Sequence, residues 1–252
     1  YAVQRMTVEL GDYAKGIRGY VRVAASTSAM MQFLPEDLRD FLQRNPSIRI
    51  DLQQRASMDA ARFVQDGVAD IGIFSSAIPA AELQAFPYRT DTLVVIVPEN
   101  HPLTQRKAVR FRELLQYDFI ELEEGSAIHA LLTREAALLG KYLKVRVRVR
   151  SFDVLCRMIQ NGIGVGVLPE ASAAMYMAAM ELRKVRLDES WAHREVQLYV
   201  RNTDALTPSA RQLLQFLSRS ASPGIEGSER MDSADSDGTE TAPTAGSAQR
   251  KR

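Results

Sequence analysis

The 252 residues carry 32 Lys and Arg against 31 Asp and Glu, a net charge of +1, so no global field argues for nucleic acid or an acidic surface as partner. A hydrophobic fraction of 46% supplies a sizeable core, and the single cysteine, Cys156, excludes a disulfide framework and favours a reducing compartment. No apolar run approaches the roughly 18 residues of a membrane span, and no signal-peptide layout is present, which predicts no membrane partner and a cytoplasmic location.

The chain opens on Tyr1 rather than an initiator methionine, which predicts a fragment of a longer protein. Val3, Met6, Leu10, Tyr13 and Ile17 recur in alternating steps of three and four, the seam spacing of a coiled coil. Residues 1–18 are therefore expected as the end of a linker or dimerisation helix, or else as a short amphipathic helix lying on its own domain. Val21, Val23 and Ala25 then alternate with Arg22 and Ala24 as a short buried strand. That strand runs into Ser26, Thr27 and Ser28 at the start of an apolar helical pattern. A strand feeding a helix N-terminus presents unpaired N–H groups and partial positive charge. In open α/β sheets, ligands gather outside the carboxyl ends of strands. Capping explains one hydroxyl here; three in a row leave ligand contact open beside it.

Met30, Phe33, Leu34, Leu38, Phe41 and Leu42 form one helical face, interrupted at Pro35, where a break is expected. Asn45 and Pro46 end the helix, and Ile48, Ile50 and Leu52 alternate as a second strand. Asp59 to Gln65 fits a short helix closed by Gly67, and the run from Ala69 to Phe74 fits a third strand ending at Ser75 and Ser76. Strands alternating with helices predict a parallel sheet with right-handed crossovers.

Leu93 to Val97 is a buried strand stopped by Pro98, with His101 and Pro102 in the turn beyond. Phe111 to Leu115 reads as a short helix and Phe119 to Leu122 as a strand. Gly125 and Ser126 then open a helix running to Gly140, which places a second strand-to-helix hydroxyl at Ser126. From Lys144 to Arg150 the sequence alternates strictly, with valines on one face and four basic groups on the other. A solvated edge that resists strand pairing is preferred there over nucleic-acid contact. Ser151 caps a helix with Phe152, Leu155, Cys156 and Ile159 on one face, so Cys156 is expected in the core rather than as a reactive thiol. Asn161 to Glu170, NGIGVGVLPE, holds alternating glycines that close a helix and enter a strand. That order reverses the dinucleotide fingerprint, and it predicts close approach of backbone or ligand instead. Glu195 to Val200 is a last strand, and Thr207 with Pro208 opens a helix with Ala210, Leu213, Leu214 and Leu217 inward. Residues 221–252 turn to Ser, Gly, Ala, Thr, Pro and acids, and disorder is expected there.

The catalytic inventory is empty. His101, His129 and His193 lie far apart without metal-ligand spacing, and no G-x-S-x-G, P-loop or H-E-x-x-H occurs. Glu121, Glu123 and Glu124 read as a solvated loop. No enzyme activity, metal or cofactor is expected.

The runs VRVAAS…FLPEDLRDFLQRNPSIRIDL, GVADIGIF, LVVIVPENHPL and NGIGVGVLPE, in that order, resemble the effector-binding domain of LysR-type transcriptional regulators over about Gly19 to Ser220. The resemblance implies an α/β fold of two Rossmann-like lobes joined by two crossover segments, similar to type 2 periplasmic binding proteins. On that map lobe one takes 19–92 plus 191–220, and lobe two takes 93–190. A small-molecule effector would lie between the lobes. Carried over by position, lobe one offers Ser26, Thr27, Ser28, Phe74 and Ser75, and lobe two offers Pro98, Ser126, Val167, Leu168 and Pro169. The family resemblance further implies self-association as a dimer or tetramer, and DNA contact only through an upstream helix-turn-helix domain. Hydroxyls and helix N-termini without an acid point to a small carboxylate. The rival expectation is a solute-binding protein that serves a transporter, which would share the fold.

Overall fold

The computed structural model describes residues 19–220. The helix expected within 1–18 and the disorder expected in 221–252 lie outside the described residues. Strands β1 (Gly19–Ala25), β2 (Ile48–Gln54) and β3 (Ile71–Ser75) pair in parallel in the order β2-β1-β3, as the strand–helix alternation requires. Helices α1 (Thr27–Gln32) and α2 (Leu34–Arg44) follow β1, and α3 (Ser57–Gln65) follows β2. The expected break falls at Phe33, which ends α1 and caps α2. Pro35 sits in the first turn of α2, where its missing N–H has no intrahelical partner to lose. The inward stripe of α2 is Leu34, Leu38 and Phe41; Leu42 falls at its margin and is exposed, a correction to the face read from sequence. Helix α3 begins at Ser57 rather than Asp59.

The element that joins the two lobes is β4 (Gln84–Pro98), one strand of 15 residues where the sequence marked only its apolar second half. Its first half pairs antiparallel with β10 (His193–Val200), which also pairs with β3. Its second half pairs with β8 (Gly166–Pro169) and β9 (Leu182–Leu187). The first half, QAFPYRTDT, escapes a hydrophobic-run reading because it is polar and contains Pro87. That proline lies opposite Gln197, beside the register shift between Val196 and Gln197, a place where a missing ladder donor is tolerated.

The second lobe adds β5 (Ala108–Val109) along β9, then α4 (Phe111–Leu114), β6 (Asp118–Leu122), α5 (Ala127–Leu138), β7 (Lys144–Val149), α6 (Phe152–Gln160) and α7 (Glu170–Met177). Strands β6 and β7 pair in parallel. Val165 ties that pair to β8 by donating to Asp118 O at 2.8 Å and accepting from Ile120 N at 2.9 Å. The chain closes on α8 (Pro208–Arg219), capped by Thr207, whose Oγ1 accepts from Ala210 N at 3.2 Å.

Packing follows the same division. One core gathers Leu93, Val95, Phe111, Phe119, Phe152, Leu155, Cys156 and Leu168 around β4's second half. Another gathers Val21, Val23, Leu34, Phe41, Ile73, Leu198 and Leu213 around β1, β3, β10 and α8. Cys156 is fully buried, and burial pushes its thiol up to about 12, so it carries no thiolate at neutral pH. Among the glycines after α6, Gly164 serves backbone approach: a Cβ there would lie 2.5 Å from Asp118 O. The basic face of β7 is neutralised rather than bare. Arg146 pairs with Asp118, Arg148 with Glu121 and Glu124, and Arg150 with Glu123. Glu121 itself is buried, which corrects the reading of Glu121, Glu123 and Glu124 as a uniformly solvated loop.

Candidate functional site: a cleft of hydroxyls and helix N-termini

Three strand-to-helix junctions converge on one narrow cleft with about 20 Å3 of free space, room for about one water. From β1 and α1 come Ser26, Thr27 and Ser28; from the start of α3 come Ala56 and Ser57; Ser75 ends β3. The second lobe contributes Leu122 at the end of β6, with Ser126, Ala127 and Ile128 at the start of α5. Arg194 and Val196 of β10 complete the lining.

The hydroxyls are disposed as donors. Ser26 Oγ accepts from Ala29 N at 3.4 Å and Ser126 Oγ accepts from His129 N at 3.1 Å, each capping its helix. Ser75 Oγ accepts from Ala77 N at 3.3 Å, and Thr27 Oγ1 accepts from Gln54 Nε2 at 3.2 Å. An oxygen already accepting from the protein has its own O–H left to give to a ligand acceptor. Helix α3 has no side-chain cap, so its first-turn amides and the positive end of its dipole are presented directly. Its Met58 N instead donates to Gly125 O at 3.1 Å, a hydrogen bond that runs from one lobe to the other.

Arg194 is the one ionisable side chain in the lining, and it is engaged from behind. It stands directly opposite Asp91 across the β4–β10 ladder. Its Nε donates to Asp91 Oδ1 at 2.8 Å and its Nη2 to Asp91 Oδ2. The two side chains are 4% and 2% exposed, so the pair is dry. One residue along, Thr92 Oγ1 and His193 Nδ1 are 3.1 Å apart, a second tie between the two connecting strands. Outside the cleft lining, the buried Glu121 carboxylate faces His129 Nδ1 at 2.9 Å and Arg148 Nε at 3.4 Å.

Of the residues expected to meet a ligand, the structure brings together Ser26, Thr27, Ser28, Ser75 and Ser126. The others lie elsewhere. Phe74 points into the interior and stacks on Tyr199, ring centroids 4.0 Å apart, because alternation along β3 sends it away from the side taken by Ser75. Val167 and Pro169 are buried in the ladder of β8 with β4, and Pro98 ends β4 opposite Leu182. Sequence reasoning missed Ser57, whose signal was a small hydroxyl residue just ahead of a helical pattern. It also missed Arg194, for which a lone basic residue in a strand gives no signal. Among the described residues no group of three or more His, Cys, Asp or Glu is placed to hold a metal, and no helix is long and apolar enough to cross a membrane.

A family model for the LysR substrate binding domain matches residues 14–222. The chain belongs to that family. Its fold is accordingly that of the LysR effector-binding domain, two α/β lobes in the type 2 periplasmic-binding-protein arrangement. A curated relative from Synechocystis, named "Probable RuBisCO transcriptional regulator", is 29% identical over 153 residues, which is 58% of this chain and 44% of the relative. The chain spans about half the length of the curated relatives it matches. Among solved structures, the regulatory domain of Synechocystis CcmR in complex with 2-PG is similar at a TM-score of 0.73 and 25% identity, covering 80% of this chain and 97% of that one. The effector binding domain of QuiR in complex with shikimate shares the fold at a TM-score of 0.72 and 18% identity, covering 80% and 96%. LysR relatives named as transcriptional regulators weigh against the solute-receptor alternative.

Proposed function

We propose that this chain is the effector-sensing domain of a LysR-type transcription regulator and that its cleft takes a small carboxylate. The observation that carries the reading is the donor set: six hydroxyl side chains and three helix N-termini face one cavity whose lining holds no acid. Such a set solvates an anion through neutral hydrogen bonds and helix dipoles. The effectors named for the CcmR and QuiR domains support a small polar ligand, and shikimate is itself a carboxylate. In this reading lobe one is 19–92 with 191–220 and lobe two is 93–190. A ligand bridging both favours one lobe orientation in proportion to its differential affinity. Lobe orientation then alters the geometry of a self-associated full-length protein, acting in the cytoplasm, whose DNA contacts lie outside this sequence.

Thermal unfolding against a panel of carboxylates, amino acids and aromatic acids tests the proposal. A binder at about 100 times its dissociation constant adds roughly 2.7 kcal/mol of stability. Ser26→Ala and Ser126→Ala, one from each lobe, are each expected to reduce the shift strongly. Tight binders that are cationic or purely apolar, or a shift untouched by both substitutions, contradict it.

A further inference from the structure

Resting on the anion-site reading above, a second layer of the cleft sets which anions fit. The lining has a single guanidinium, Arg194, and its charge is matched by Asp91, which lies behind it in the β4–β10 ladder and does not line the cleft. Both side chains are almost fully buried, so water does little to screen either charge. Asp91 takes the Nε and Nη2 donors; a guanidinium has five N–H groups, and the remaining ones are left for the cleft. The floor therefore offers directional donors without net charge. We propose that Asp91 is a specificity-determining residue: by cancelling Arg194, it tunes the cleft to singly charged ligands and against dianions. A bare arginine in this position would draw phosphate, sulfate and dicarboxylates.

The two halves of the pair act in opposite directions on ligand charge, and this separates a charge-setting role from a structural one. Asp91→Asn leaves a net positive floor, and Arg194→Gln leaves a net negative one. The test is the dissociation constant, by calorimetry, of two ligands of nearly equal shape and different charge, succinamate and succinate, with inorganic phosphate as a second dianion-rich probe at pH 8. The wild-type chain is expected to bind succinamate at least as tightly as succinate. In Asp91→Asn the ratio is expected to swing about tenfold toward succinate, and in Arg194→Gln about tenfold the other way. Either variant can be read alone if the other does not fold, since each is compared with wild type as a ratio. A structural role would weaken both ligands together and leave the ratio fixed, which overturns the assignment. A wild-type preference of tenfold or more for the dianion also overturns it. Binding of no carboxylate from the panel above by the wild type would instead bring down the anion-site reading, and this inference with it.

Discussion

Single residues carry the clearest consequences of burial. Cys156 lies in the second-lobe core with its thiol pushed up to about 12. The native chain is expected to leave a thiol-specific reagent such as DTNB essentially unreacted at pH 8, with full reaction only in denaturant. Rapid native labelling would contradict the packing of α6. At Gly164 a Cβ would meet the Asp118 carbonyl oxygen at 2.5 Å, so β6 or the turn after α6 must shift to admit it. Gly164→Ala is expected to cost about 1–3 kcal/mol, read as a lowered midpoint in urea; an unchanged midpoint would show that the approach is looser than the geometry states. Both residues were legible in outline, Cys156 from its place on a helical stripe and Gly164 from a glycine in a strand entry. What could not be read was the partner across space. Arg194 illustrates this: its role depends on Asp91, 103 positions away in sequence and directly opposite in the ladder.

At the scale of elements, β7 is the case where two readings of one pattern had to be separated. Strict alternation fixed its two faces, and its basic face is met by Asp118, Glu121, Glu123 and Glu124 on and after β6. A stripe already paired has few counterions to release from a phosphate backbone. This domain is therefore expected to show only weak binding to duplex DNA at 150 mM salt, measured by fluorescence anisotropy. Submicromolar, strongly salt-dependent binding by residues 19–220 would contradict the neutralised face. Strand β4 shows the converse limit of sequence reading. Its apolar half is plain, whereas its polar half belongs to the sheet only because β10 lies beside it. The junctions at Ser26 and Ser126 were readable because capping chemistry is local; β9 and α7 were not, as neither carries a strong period of its own.

On the scale of the whole molecule, two cores meet along the strands β4 and β10 and across the cleft. Met31 of the first lobe packs on the second-lobe core, Ala127 of the second packs with Ala24, Ala60 and Phe74, and Met58 N reaches Gly125 O. These contacts are few and lie beside the hydroxyl-lined cavity, where a ligand touching both lobes has most leverage over their orientation. Gly125 holds φ +88, a left-handed conformation that other residues adopt at a cost of about 1 kcal/mol or more. Gly125→Ala is expected to weaken effector binding more than it lowers the unfolding midpoint, since it disturbs the lobe-to-lobe seam; the reverse order would place the seam's importance in folding. The most direct measurement is a titration of the 15N-labelled chain, followed by amide shifts, with whichever carboxylate gives the largest thermal shift. Amides of residues 27–29, 57–59 and 127–129 are expected to move together and to saturate with one dissociation constant. Shifts confined to one lobe, or centred on Pro98 and the β8 ladder, would contradict a sensing cleft between the lobes.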